Sequence, residues 1–313
     1  MIASRLIGNF VTTPPLSPNA RRSTGRAVVL GREKLRSAEL FDTRPVLNAR
    51  EEIITGDNSS FRYLRMARIA LQPEAPGYTP IRVTLPPNQE AVFYVNRGRT
   101  TLTTQAGEFD LEMGDVVYAG IGESVEVRCD HELADVSEYR AIDCHTRHPT
   151  CRVRHSDIEG TPLAADVGTK RPMTRRTVYK LVDQNIQACR LLFGDTFMQQ
   201  PGGVGSYPPH FHGPDGPSGL GRDAKEEIYH FRCASVIPGA IPYVLQNCAR
   251  PLETLNTYVH LFDEQAINVT PNYHDTMAPP TVDFMFVWCL GAYTENERDW
   301  ARIVTQPGFE DEW

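Results

Sequence analysis

Apolar and polar residues alternate over short runs along most of the chain, and a period of two predicts strands rather than helices. Ile81-Arg82-Val83-Thr84-Leu85 leads through Pro86-Pro87 to Glu90-Ala91-Val92-Phe93-Tyr94-Val95, with a turn expected at Asn96 to Arg99. Thr100 to Thr104, a turn at Gly107 and Phe109 to Tyr118 continue this meander. A second, unequal succession follows. Tyr207-Pro208-Pro209-His210 leads to Glu227-Ile228-Tyr229-His230-Phe231, then to runs at Pro242 to Gln246, Thr257 to Phe262, Ala266 to Thr270 and Asp283 to Leu290. Helical periodicity is almost absent, and short helices are expected only at Arg32 to Glu39 and Glu295 to Ile303. The pattern predicts an all-β chain built from two tandem barrels or sandwiches, an internal duplication.

The length, 313 residues, accommodates two such units. Residues 1–26 contain Thr13-Pro14-Pro15-Leu16-Ser17-Pro18 and Arg21-Arg22, and read as a flexible tail without the apolar core of a secretory signal. The first barrel is placed at 27–150, a linker at 151–172 and the second barrel at 173–313. The linker lies within an irregular stretch from about Cys144 to Met173.

Hydrophobic residues make up 41% and charged residues 23%, ordinary for a globular protein, and no apolar run approaches membrane-spanning length. The net charge of -7 is spread along the chain without a basic block, which argues against a nucleic-acid partner. Seven cysteines, odd in number and scattered, fit a reducing compartment, and a cytoplasmic location is expected.

Candidate chemistry centres on His210 and His212. In a strand, side chains at i and i+2 share a face, so both imidazoles can address one ion. A carboxylate from the Glu226-Glu227 pair and the imidazole of His274 can complete the set. Three neutral nitrogens and one carboxylate suit a single divalent metal and leave coordination positions open. Zinc comes first, and manganese, iron, cobalt or nickel suit the same donors. The first copy repeats the glutamate-aromatic strand at Glu90 but has no His-x-His before it, and is expected to be a barrel without a metal site. Cys144-His145-Thr146-Arg147-His148-Pro149-Thr150-Cys151 also concentrates ligands, but its spacing matches no common zinc motif and an ordinary linker is expected.

Tyr207-Pro208-Pro209-His210-Phe211-His212, followed by Glu226-Glu227-Ile228-Tyr229-His230-Phe231 and by Thr270-Pro271-Asn272-Tyr273-His274, resembles the two-barrel cupin (bicupin) sugar-acid isomerases. Within them it is similar to 5-deoxy-glucuronate isomerase of inositol catabolism, which the long Gly213 to Lys225 segment favours. The order Asp263-Glu264-Gln265-Ala266, His274, Asp283 to Trp288, with Arg175-Arg176-Thr177 upstream, also resembles 4-deoxy-5-ketouronate isomerase of pectin breakdown.

The resemblance implies two jelly-roll barrels in tandem, a metal held by His210, His212, Glu227 and His274, and interconversion of an aldehyde and a ketone in a deoxy-hexuronate. The partner it implies is a small sugar acid, and it admits a homo-oligomer. Alternation places Tyr229 beside Glu227, and Tyr207 lies next to the histidine pair, so both are candidate catalytic hydroxyls. Tyr273, Arg190 and Arg232 are candidate substrate contacts, the arginines because a uronate carboxylate favours a bidentate partner. Two other classes remain open: a cupin dioxygenase, if the ion is redox-active, and a non-enzymatic sugar-binding or metal-sensing cupin.

Overall fold

The computed structural model describes residues 25–26, 39–130, 133–213, 225–249, 257–269, 272–299 and 303–313. Nearly all regular structure is strand, arranged as two jelly-roll barrels of the cupin type. In the first barrel one sheet runs in the order 151–153, 116–119, 89–104, 134–142, 64–71, 49–54. Its other side is made by Ile81–Thr84, Ser124–Arg128 and Gly107–Glu112. The expected turn at Asn96 to Arg99 is instead the bend of one long strand, Gln89–Thr104, whose two halves serve the two sides. Gly98 permits the bend. Its φ is +75°, and a Cβ there would lie 1.8 Å from the carbonyl oxygen of Leu133.

The second barrel opposes two sheets. One runs 25–26, 39–42, 265–268, 226–235, 282–291, 191–198, 176–182, 164–167; the other runs 257–262, 243–249, 273–278, 203–212, 303–305. The linker region therefore carries a strand on each barrel, Cys151–Val153 on the first and Ala164–Val167 on the second. Glu39–Asp42, early in the chain, pairs with Gln265–Asn268 of the second barrel.

Three apolar layers follow from alternation along strands buried on both faces. Phe93, Val95 and Val117 fill the first barrel, and Tyr229, Phe231, Phe286 and Trp288 fill the second. Between the barrels lie Val92, Tyr94, Tyr139, Phe193, Ile228 and Val287. Neighbours in sequence thus enter different cores.

The expected helix at Glu295 to Ile303 is not formed: residues 295–299 are turn and irregular chain, and Ile303 opens a strand. Asn296 takes φ +64°, and the buried Arg298 donates to the carbonyls of Leu191, Asp183 and Ile186, contacts that hold the segment against the second barrel. The other expected helix lies outside the described residues except for Glu39, which is in a strand. The 1–26 tail lies outside them apart from 25–26, as do residues 214–224 of the Gly213 to Lys225 segment.

Two buried carboxylates lock the barrels reciprocally. Glu90 of the first barrel accepts the consecutive backbone N–H groups of Cys189 (2.7 Å), Arg190 (2.6 Å) and Leu191 (2.8 Å), and the hydroxyl of Tyr118. Glu226 of the second accepts those of Arg62, Tyr63 (2.8 Å) and Leu64 (3.0 Å). A charged acceptor for three otherwise orphaned donors is a strong local interaction. Replacing either carboxylate by alanine is expected to cost about 3–5 kcal/mol of unfolding free energy. Urea denaturation checks this, and a loss below about 1 kcal/mol for Glu226→Ala would remove the lock from the account.

Candidate active site

The site lies inside the second barrel, where its two sheets face each other. Pro208 and Pro209 lack N–H groups, and the register of Gly203–His212 against Tyr273–Ala278 shifts between Gly205 and His210. Beyond the shift His210 stands directly across from His274. His212 shares the inward face of His210, while Phe211 points the other way, against Tyr273 and Ala249. Glu227 and Tyr229 project from the opposing sheet. The ring of His210 is 5.0 Å from those of both His212 and His274, and Glu227 Oε2 is 3.3 Å from His274 Nε2. Glu227 Oε1 is 3.8 Å from His212 Nε2.

Hydrogen bonding selects the tautomers of two of these rings. Nδ1 of His210 meets the carbonyl oxygen of Pro208 at 2.8 Å, and Nδ1 of His274 meets that of Asn272 at 3.1 Å. A carbonyl can only accept, so Nδ1 carries the proton in both and Nε2 presents a lone pair to the interior. Burial keeps both rings neutral, lowering the pKa of His210 to about 4 and of His274, which also has His210 beside it, to about 3. Burial likewise raises the Glu227 carboxyl well above its usual range.

Among the described residues no group of three or more His, Cys, Asp or Glu side chains is drawn tightly enough to enclose an ion as it stands. The chemistry of the donor set nevertheless fits a divalent metal. The imidazoles of His210 and His274 are neutral and held by carbonyls with Nε2 inward, and a cation would relieve the cost of a buried carboxylate.

The hydroxyl of Tyr229 is 2.8 Å from Ser206 Oγ and 3.0 Å from His274 Nε2. Because that nitrogen accepts, Tyr229 donates to it and can accept from Ser206. Burial raises the phenol's pKa well above its normal value, so Tyr229 stays protonated and works as a donor. Tyr229, Ser206, His210, His212 and Glu227 line a cavity of about 370 Å³ whose wall also includes Arg176, Val178, Trp288 and Tyr207, and His274 stands behind Tyr229. At its mouth Glu312 accepts from Tyr207 and pairs with Arg171, and the Trp313 ring lies 5.4 Å from that of His210.

Three expected contacts lie elsewhere. Arg190 is buried between the barrels, donating to the carbonyls of Asp143, Ala292 and Tyr293. Arg232 faces away from the cavity and pairs with Glu264 and Asp263. Tyr273 packs against Phe211 and Ala249 on the outer side of its sheet. Glu226, the rival carboxylate, points to the first barrel. Cys144 enters the inter-barrel core, while His145 and His148 turn to Glu295 and Asn296. Sequence reasoning missed Arg176, Ser206 and Trp313 as site residues. The even-numbered alternation Arg176, Val178, Lys180 was the available signal for the first, since all three line the cavity.

Glu90 and Glu226 perform the same task, so the residue after each faces its own barrel interior. That residue is Ala91 in the first barrel and Glu227 in the second.

The chain is 23% identical over 192 residues to a 4-deoxy-L-threo-5-hexosulose-uronate ketol-isomerase of Lacticaseibacillus paracasei, covering 60% of this chain and 61% of the relative's length. An IolB-like protein of Salmonella typhimurium superposes with a TM-score of 0.65 at 14% identity, over 83% of this chain and 93% of that one. Bacillus subtilis oxalate decarboxylase, a protein with Mn(II) centres, superposes with a TM-score of 0.51 at 10% identity, over 82% and 74%. Both likenesses show the shared fold. The family model described as KduI/IolB matches residues 88–310, which include all the inward-facing groups from Arg176 to Tyr229 and His274, and the chain belongs to that family.

Proposed function

We propose that this protein is a metal-dependent aldose–ketose isomerase of a deoxy-hexuronate, with 5-deoxy-glucuronate as its substrate. The observation that carries the reading is that His210, His212, Glu227 and a protonated Tyr229 line a single cavity, with His274 behind them against Glu227 and Tyr229. Membership of the KduI/IolB family supports it. The ketol-isomerase activity for which the Lacticaseibacillus relative is named favours a second reading, 4-deoxy-5-ketouronate as substrate.

His210, His212, His274 and Glu227 would hold one divalent ion, as the oxalate decarboxylase relative in fold holds Mn(II). When bound, the ion supplies Lewis acidity to the carbonyl and neighbouring hydroxyl oxygens of the sugar, where negative charge develops. The chain's own groups do the rest. The carbonyls of Pro208 and Asn272 hold His210 and His274 in the tautomer with Nε2 inward. Tyr229, oriented by Ser206, keeps its proton at neutral pH, donates it to the substrate's carbonyl oxygen and recovers one from the neighbouring hydroxyl, which becomes the new carbonyl as hydrogen moves between the two carbons. Phe286 and Trp288 close the apolar wall and exclude water from the transfer.

Turnover of 5-deoxy-glucuronate and of 4-deoxy-5-ketouronate, followed anaerobically, tests the reading. One of the two is expected to isomerise without oxygen uptake. Failure with both, together with oxygen consumption on another substrate, would replace isomerase by dioxygenase. Dialysis against a chelator is expected to abolish turnover, and one equivalent of Zn(II) or Mn(II) per chain to restore it. The same ion should raise the melting temperature of the wild type and leave that of His210→Ala unchanged; equal shifts in both proteins would place the ion elsewhere. Tyr229→Phe is expected to lower kcat about 100-fold with KM within about 3-fold, as removal of a proton donor requires. A change confined to KM would make Tyr229 a binding group.

A further inference from the structure

Arg176 opens the strand Arg176–Val182, and its buried side chain forms part of the cavity wall. Its guanidinium donates to two backbone carbonyls, of Thr174 at 2.9 Å and of Tyr207 at 2.7 Å. These fix the plane of the group without cancelling its charge. Among the described residues no carboxylate is paired with it. Arg68 and Arg232, buried on the far side of Glu226–Ser235, each face two carboxylates. Arg298, also bonded to carbonyls, has Glu90 and Asp183 within electrostatic reach, whereas the group nearest in kind to a counter-charge beside Arg176, among the described residues, is the protonated Tyr229 phenol.

The position is built rather than incidental. Gly168 packs against the guanidinium with φ +76°, and a Cβ there would lie 2.7 Å from Nη1 and 2.0 Å from the carbonyl oxygen of Thr174. Lys170 and Lys180 also line the cavity but are more exposed, and Lys170 is engaged with the carbonyl of Asp311. A buried cation lacking a counter-ion, at the wall of a cavity large enough for a sugar, is where an anionic ligand gains most. The planar fork of a guanidinium matches a carboxylate bidentately.

We propose that Arg176 is the carboxylate anchor of this cavity, selecting acidic over neutral sugars and setting which end of the sugar reaches His210, His212, His274 and Glu227. This rests on the reading of the cavity as a sugar-acid site. It adds the specificity determinant that Arg190 and Arg232, held elsewhere, do not supply.

The test is calorimetric titration of the metal-supplied protein with glucuronate and with its neutral amide, glucuronamide. The wild type is expected to bind the acid about 30-fold more tightly than the amide, the range of a charge-assisted hydrogen-bond pair. Arg176→Met should bring the two within about 3-fold by weakening the acid alone, and Arg176→Lys should retain part of the preference. A preference undiminished in Arg176→Met, or a wild type that prefers neither ligand or binds neither, overturns the anchor. If Arg176→Met does not fold, Arg176→Lys decides, and a preference equal to that of the wild type overturns it. Turnover of 5-deoxy-glucuronate and of 4-deoxy-5-ketouronate is scored separately. Loss of acid preference in Arg176→Met without wild-type turnover of either uronate keeps the anchor and sinks the isomerase. Turnover with the preference intact in Arg176→Met sinks only the anchor.

Discussion

A strand buried on both faces has no side to give to water, and the strand Glu226–Ser235 is of this kind from Glu226 to Cys233. Every side chain along that stretch must satisfy one of two interiors. Odd-numbered positions from Glu227 to Phe231 enter the second barrel, where they form part of the site and the core beneath it. Even-numbered positions from Glu226 to Arg232 meet the first barrel or the polar seam beside it. In that seam Arg68 joins Asp135 and Glu264, and His230 lies against Thr43, Tyr139 and Arg68. Arg68, Arg232, Asp135 and Glu264 there each have an opposite charge in contact, the condition under which such groups are tolerated away from water.

The same division explains how two similar barrels differ in content. Glu90 and Glu226 are spent on the seam, each capping three backbone N–H groups of the other barrel. Only the next residue can address the barrel interior. In the first barrel that residue is Ala91, and its surroundings are Phe93, Val117 and other apolar side chains. In the second it is Glu227, set among imidazoles and a phenol.

Alternation made much of this legible in the sequence, because a period of two is written directly in side-chain polarity. It gave the all-β class, the tandem barrels and the pairing of Tyr229 with Glu227. The same rule, applied to Arg232, puts it opposite Glu227, and applied to Tyr273 puts it opposite His274; the case for Arg232 rests on its affinity for a carboxylate and that for Tyr273 on its nearness to His274, and neither takes parity into account. Arg190 precedes its strand, so parity says nothing about it. Tyr207 and Ser206 reach the cavity although Pro208 and Pro209 interrupt the ladder, so their distance from His210 cannot be read as parity either. The 295–299 segment was misread because its local pattern suggests a helix, while three carbonyls of distant segments capture Arg298. Such tertiary capture leaves no mark on neighbouring residues.

The three N–H groups held by Glu226 have a further meaning. Slipping Glu226–Ser235 by one residue would exchange its two faces, sending Glu227 to the seam and Glu226 toward the imidazoles. Both residues are glutamates, so that pair alone would scarcely resist the exchange, although Tyr229 and Phe231 on one face and His230 and Arg232 on the other oppose it. At the glutamates themselves what resists it is the first barrel, whose backbone at Arg62 to Leu64 measures the strand against a fixed stop. The barrel farther from the chemistry thereby acts as the gauge that decides which of two identical carboxylates the chemistry receives.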